Sequence, residues 1–169
     1  MKRDLSYQTR HKVTLTKIVG VVYPVPIGFV DRLFVEHRGV IVKYVARTTG
    51  LKIAPKHKVV FYGSKGSGEV VGEGTIDALE FLTPNEALEK FGDRLFLDKD
   101  ELTKYTMHQP TRTLSKRVLV VTLSKLRRYP PGIKYERRMT MAGEYLTKER
   151  YDALLARVHA SKPQSETNR

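Results

Sequence analysis

The 169-residue sequence predicts an α+β domain, a mixed β-barrel of about six short strands with flanking helices. Three observations carry that prediction. Short β-branched runs recur along the chain, a glycine-rich turn joins two of them, and the helical segments open on sequence-local caps. Strands and helices do not alternate regularly, which argues against a doubly wound parallel sheet. The expected organisation is a basic N-terminal extension (1–12), one domain (13–159) and a disordered polar tail (160–169).

In chain order, VTLTKIVGVVY (13–23) alternates and is β-branched, so it reads as a strand. Pro24-Val25-Pro26 is expected to end it and open a helix at 26–37, where Ile27, Val30, Leu33 and Phe34 repeat at helical spacing. VIVKYV (40–45) and VVFY (59–62) follow as strands, then a longer one at 70–82. Thr83-Pro84-Asn85-Glu86 and Asp98-Lys99-Asp100-Glu101 are capping boxes, predicting helices at 84–91 and 99–105. KRVLVVTL (116–123) reads as a buried strand, YPPG (129–132) as a turn, and 133–139 as a further strand. Thr147 caps a last helix, 148–159, whose Tyr151, Leu154, Leu155 and Val158 share one face.

The formal charge of +13 is unevenly spread. Residues 1–60 and 111–169 are strongly basic, whereas 61–110 are acidic on balance. Two basic segments around an acidic one can fold into a basic face with an acidic back, which suits a polyanion. The acidic helices at 83–105 are therefore expected to lie away from that ligand. The chain has no cysteine, which removes disulfides, thiolate metal sites and cysteine nucleophiles. The five histidines are scattered without ligand spacing, so neither metal nor cofactor is expected. No apolar run approaches the ~18 residues of a membrane helix, and the charged N-terminus lacks a signal peptide's apolar stretch. The expectation is a cytoplasmic protein with no membrane partner.

FYGSKGSGEVVGEGTI (61–76) raises the possibility of a phosphate loop. Gly63 and Gly68 have the spacing, but Glu69 and Val70 stand where Lys and Ser/Thr are required. The dinucleotide pattern fails at Val71. The segment also leads into a β-branched strand, so no helix dipole faces an anion. It reads as a hairpin turn whose glycines supply positive φ. Its tip carries Lys65 between Ser64 and Ser67, and backbone N–H groups there could form an anion-binding nest.

Val59-Val60-Phe61-Tyr62 followed by Val71-Gly72-Glu73-Gly74-Thr75-Ile76 resembles the strand pair that closes the pseudo-barrel of the PUA-like superfold, in its ASCH and EVE branches. KIVGVVYPVP (17–26), the two capped helices and MTMAGEYLT (139–147) are similar to an uncharacterised, mainly archaeal family of that superfold. The resemblance spans about residues 17–158. It implies binding of RNA, such as tRNA, rRNA or a modified base, in a cleft between barrel and helices. The ASCH signature Gly-x-Lys-x-x-Glu-x-Arg is absent: Gly39, Lys43 and Arg47 occur in order but with other spacing, and Ala46 precedes Arg47.

RNA binding needs cations for phosphates and planar groups for unstacked bases. The candidates are Lys43 and Arg47, then Tyr62, Ser64, Lys65 and Ser67 around the glycine turn, and Arg137, Arg138 and Tyr145 near the C-terminus. Strand alternation is expected to send Lys43 and Tyr44 to opposite faces. The expected function is a non-enzymatic RNA-binding module. The alternative is a small amidohydrolase acting on an acetylated nucleoside, in which the resemblance would give Lys43, Thr48 and Glu73 the catalytic roles.

Overall fold

The computed structural model describes residues 16–45, 51–108 and 113–162. Arg47 and Thr48 lie outside the described residues, as do residues 1–15 and 163–169. Six strands form one mixed sheet: β1 (Ile18–Pro26), β2 (Val40–Lys43), β3 (Lys58–Ser64), β4 (Glu69–Leu82), β5 (Val118–Lys134) and β6 (Glu144–Thr147). Their order is β2-β5-β4-β3-β1-β6, and among these strands only β1 with β3 is parallel. The helices are α1 (Val30–Phe34), α2 (Pro84–Phe91), α3 (Lys99–Thr106) and α4 (Lys148–Ala160). The α+β prediction holds, with an open seam in the barrel: the sheet curls but does not close.

The curl follows from one distance. β1 and β2 stand four positions apart in the sheet, which in a flat sheet is roughly 19 Å. Yet the Lys43 ammonium lies 4.4 Å from the centre of the Tyr23 ring. Only a strongly coiled sheet brings them together. Its concave side is filled by Val21, Tyr23, Ile41, Val59, Phe61, Leu119 and Val121, with Tyr145 of the far edge packed against them.

Alternation assigns the outer faces. Val40 and Val42 of β2, with Val118 and Val120 of β5, turn outward onto Ala87, Phe91 and Leu102 of α2 and α3. Further along, Val22, Val60, Val70, Tyr129 and Ile133 turn outward onto Leu154 and Val158 of α4. Val118 to Val121 therefore read as a continuous apolar run because both faces of β5 are covered there.

Both capping boxes form. Thr83 accepts from the Glu86 N–H at 3.2 Å while Glu86 accepts from the Thr83 N–H at 2.8 Å. Asp98 and Glu101 reciprocate in the same way. Thr147 accepts from the Arg150 N–H at the start of α4.

Three boundaries depart from the sequence expectation. β1 runs through Pro24 and Pro26, so the helix begins after them, as a 3-10 turn (Ile27–Phe29) followed by the short α1. β6 pairs with β1 only through Val22, leaving the proline stretch with a strand partner on one side, where a missing N–H is tolerated. β5 likewise continues through Tyr129-Pro130-Pro131-Gly132 instead of turning, and its far end pairs with the start of β4, Lys134 to Glu69. The last strand is β6, later than the expected 133–139.

The glycine segment is a β3–β4 hairpin. Its positive φ values belong to Lys65 (59°) and Gly68 (78°), not to Gly63 or Gly66. Gly63 serves close approach instead: a Cβ there would sit 2.8 Å from Cδ1 of Ile27.

Candidate nucleic-acid interface at the open seam

Between the edge strands β2 and β6, where the barrel fails to close, lies a cleft of about 940 Å³. Four elements build it. β1 supplies Val21 and Tyr23, and the end of β2 supplies Lys43, Tyr44 and Val45. The last turn of α3 and the residues just after it give Lys104, Tyr105 and His108, and the approach to β6 gives Met141 to Tyr145.

Lys43 is recessed in this cleft. Among the described residues no carboxylate lies within 4 Å of it, and its ammonium faces the Tyr23 ring. Burial alone pushes its pKa down to about 8. Burial, then the nearby Tyr145 and Tyr105, raise the Tyr23 phenol, which stays protonated. Tyr105 Oη accepts from the Tyr44 N–H at 2.9 Å, tying the end of α3 to the end of β2. Tyr145 Oη accepts from the Lys52 N–H at 3.2 Å, and the Lys52 ammonium lies 5.6 Å from that ring.

Glu144 borders the cleft, but its carboxylate is committed elsewhere. Glu144 is paired with Val22 in the ladder, so it shares the outward face under α4, where it binds Tyr135 and Arg150. Burial opposes its charge, but those two hydrogen bonds prevail and hold its pKa below the ordinary carboxylate value. The cleft is left with a donor-rich, cationic and aromatic lining.

The predicted site residues separate into groups. Lys43 and Tyr145 meet in the cleft. Ser64, Lys65 and Ser67 sit at the β3–β4 hairpin, with Lys65 and Ser67 exposed, and Ser64 pairs with Pro26, three residues beyond Tyr23 on β1. Tyr62 packs under α4, edge to face with Tyr135 at 5.9 Å. Arg137 and Arg138 are exposed after β5. Tyr44 lines the cleft beside Lys43, against expectation, because β2 ends at Lys43 and alternation ends with it.

Glu73 lies on the other side of the sheet from Lys43. It pairs with Val60, whose side chain turns toward α4, whereas Lys43 shares the inward face of Ile41. Glu73 is 5% exposed and accepts from Tyr129 at 2.5 Å, Tyr151 at 3.0 Å and Arg127 at 3.2 Å, with Lys58 at 3.8 Å. The structure therefore does not bring Lys43 and Glu73 together.

Tyr23, Lys104, Tyr105 and His108 were not singled out by sequence reasoning. The acidic helices are expected to lie away from a polyanion. No residue of α2 lines the cleft among the described residues, whereas α3 borders it: its acidic start binds Arg32 through Glu101 at 2.5 Å, and its basic end walls the cleft. The basic last turn was the available signal.

Residues 18–148, from β1 to the start of α4, match the family described as Domain of unknown function (DUF365). The chain belongs to that family. Within its span lie the six described strands and every described residue lining the cleft. An archaeal relative, Uncharacterized protein MJECS03 of Methanocaldococcus jannaschii, is 29% identical over 107 residues, covering 60% of this chain and 99% of the relative. Among solved structures, ASCH from Zymomonas mobilis superposes with a TM-score of 0.66 at 14% identity, over 82% of this chain and 94% of that one. The N-terminal domain of Staphylothermus marinus McrB gives 0.53 at 17% identity, over 85% and 98%. This DUF365 chain thus has the ASCH/PUA-like fold, as the resemblance in its sequence implied.

Proposed function

We propose that this DUF365 chain is an RNA-binding module, and that the seam cleft seats an unpaired stretch of RNA, such as a loop or modified base of tRNA or rRNA. The observation that carries the reading is the cleft's lining: cations and tyrosines converge where the barrel stays open, with the nearby Glu144 carboxylate turned away. Single-stranded RNA is held by cations on phosphates and by aromatic surfaces against bases. Lys104 and Lys52 are exposed near the rim and suit phosphates. Lys65, with Ser64 and Ser67, and the Arg137-Arg138 pair would extend the contact along flanking RNA.

The amidohydrolase alternative requires Lys43 and Glu73 to act on one substrate. Their placement on opposite faces of the sheet gives it no support.

The test is fluorescence-anisotropy titration of the full chain with an unstructured RNA 12-mer at several salt concentrations, followed by photo-crosslink mapping. Affinity should fall steeply with salt, and crosslinks should map to Tyr44, Tyr105 or Tyr145. Absence of binding at low salt, or crosslinks confined to the α2 side, would overturn the proposal.

A further inference from the structure

Three polar side chains of the cleft, Lys43, Tyr145 and Tyr23, can donate a hydrogen bond to a base seated there. The Lys43 ammonium has three donors and no acceptor. It has no carboxylate within 4 Å among the described residues, so its donors are directed toward the Tyr23 ring and the cleft. The Tyr145 oxygen already accepts from the Lys52 N–H, which leaves its own hydrogen to be donated. Tyr23 remains a protonated phenol. Glu144, the acidic residue beside the cleft, has its carboxylate bound by Tyr135 and Arg150 beyond β6.

At Lys43, which can only donate, an exocyclic amine is mismatched, because a donor meeting a donor leaves both unsatisfied away from water. The ammonium is matched to carbonyl oxygens. Sites that hydrogen-bond one functional group reject analogues lacking it far better than apolar pockets reject by size.

We propose that the cleft selects bases that present keto oxygens, the uracil type foremost, over the amino-bearing cytosine and adenine, and that Lys43 is the specificity-determining donor. The recessed ammonium meets the exocyclic carbonyl of a base turned into the cleft, with the tyrosine rings beside it. Lys104, nearer the rim, meets phosphate and reads nothing. This proposal rests on the RNA-binding reading above and gives it a base preference.

The experiment compares 12-residue oligo(U), oligo(C) and oligo(A) on the full chain by anisotropy in one buffer, for the wild type, Lys43→Met and Lys104→Met. Oligo(U) and oligo(C) differ along one base edge, with a carbonyl or an amine at ring position 4 and an N–H or a bare nitrogen at position 3, so their affinity ratio reads that edge. The wild type should favour oligo(U) by about tenfold or more. Lys43→Met should lower oligo(U) affinity by about that factor and shrink the ratio to roughly twofold or less. Lys104→Met should weaken all three oligonucleotides in similar proportion. Equal wild-type affinities, a preference for oligo(C), or an unchanged ratio in Lys43→Met would each overturn the selectivity while leaving RNA binding in place. Failure of all three to bind would overturn both readings together.

Discussion

On the α4 face of the sheet, the Glu73 carboxylate is met by Tyr129, Tyr151 and Arg127, with Lys58 just beyond. In the seam, the Lys43 ammonium is met by an aromatic ring and an open cleft. Both charges are withdrawn from water, which is unfavourable unless compensated. Glu73 is compensated by hydrogen bonds from β5 and α4, which tie both elements to β4. Lys43 has a cation–π contact worth about 0.5–2 kcal/mol, and burial still drives its pKa down. A charge satisfied from within serves the fold. A charge that meets no carboxylate among the described residues and faces an open cleft is suited to a partner from outside, and that contrast is the strongest physical argument for the proposed seat of the ligand in the seam.

The largest effect should come from removing the satisfied charge. Glu73→Ala leaves the buried Tyr129 hydroxyl without its acceptor and Arg127 without its partner, and should destabilise the fold by about 3–5 kcal/mol. Glu73→Gln keeps one acceptor oxygen and should cost roughly 1–3 kcal/mol. Urea unfolding measures both. If Glu73 acted in chemistry on a nucleoside, Glu73→Gln would instead unfold like the wild type and lose turnover.

The opposite sign is expected at Lys43. Its folded pKa, about 8, lies below the unfolded value near 10.5. Between those pH values the unfolded chain holds a proton that the folded chain has released, so this residue's contribution to stability rises with pH from about 8 to 10.5. Below pH 8 both states are protonated and the full penalty is present. Lys43→Met should therefore stabilise the protein at pH 7 by roughly 1–3 kcal/mol while weakening RNA binding. It should also flatten the wild type's gain in stability above pH 8. Lower stability of Lys43→Met at pH 7 would mean that Lys43 supports the fold, and the contrast with Glu73 would collapse.

A smaller change sharpens the Glu73 side. Tyr151→Phe removes one hydrogen bond to the carboxylate and leaves those of Tyr129 and Arg127, so it should cost roughly 1–2 kcal/mol. Combined with Glu73→Gln it should cost less than the sum, because both substitutions act on one contact. Strict additivity in thermal unfolding would show that the Tyr151 hydroxyl does not act through Glu73.

What was legible in the sequence was mostly local. The starts of α2, α3 and α4 were readable because a cap needs only residues three apart, as Thr83 with Glu86. The passage of β1 through Pro24 and Pro26 was not, because a proline's place in a strand depends on which neighbour needs its N–H. That neighbour, β6, is more than a hundred residues away. The run of β5 through Pro130 and Pro131 depends in the same way on the reach of β4. At the site, Lys43 and Tyr145 could be picked out as a cation and an aromatic. Tyr23 and the end of α3 could not, since they join the cleft only once the sheet curls. Tyr62 follows alternation, sharing the outward face of Val60, but that its ring would pack on Tyr135 beneath α4 depends on a helix more than eighty residues away.

The smallest effect is expected at Lys65, which tests how far the bound RNA extends beyond the seam. Its side chain is exposed at the hairpin tip and its backbone is left-handed, φ 59°, a conformation that Ala tolerates no better. Lys65→Ala should therefore change stability by less than ~0.5 kcal/mol in either direction. If the tip touches a phosphate, affinity should fall about equally for oligo(U) and oligo(C), since phosphate contacts position the strand without reading bases. The slope of log affinity against log salt should then fall by roughly 0.7, the release of one counterion from a single strand. An RNA long enough to span the cleft and the hairpin should show this change, and a dinucleotide seated in the cleft should not. An unchanged slope for the long RNA would confine the ligand to the seam and leave the hairpin as the turn that closes β3 onto β4.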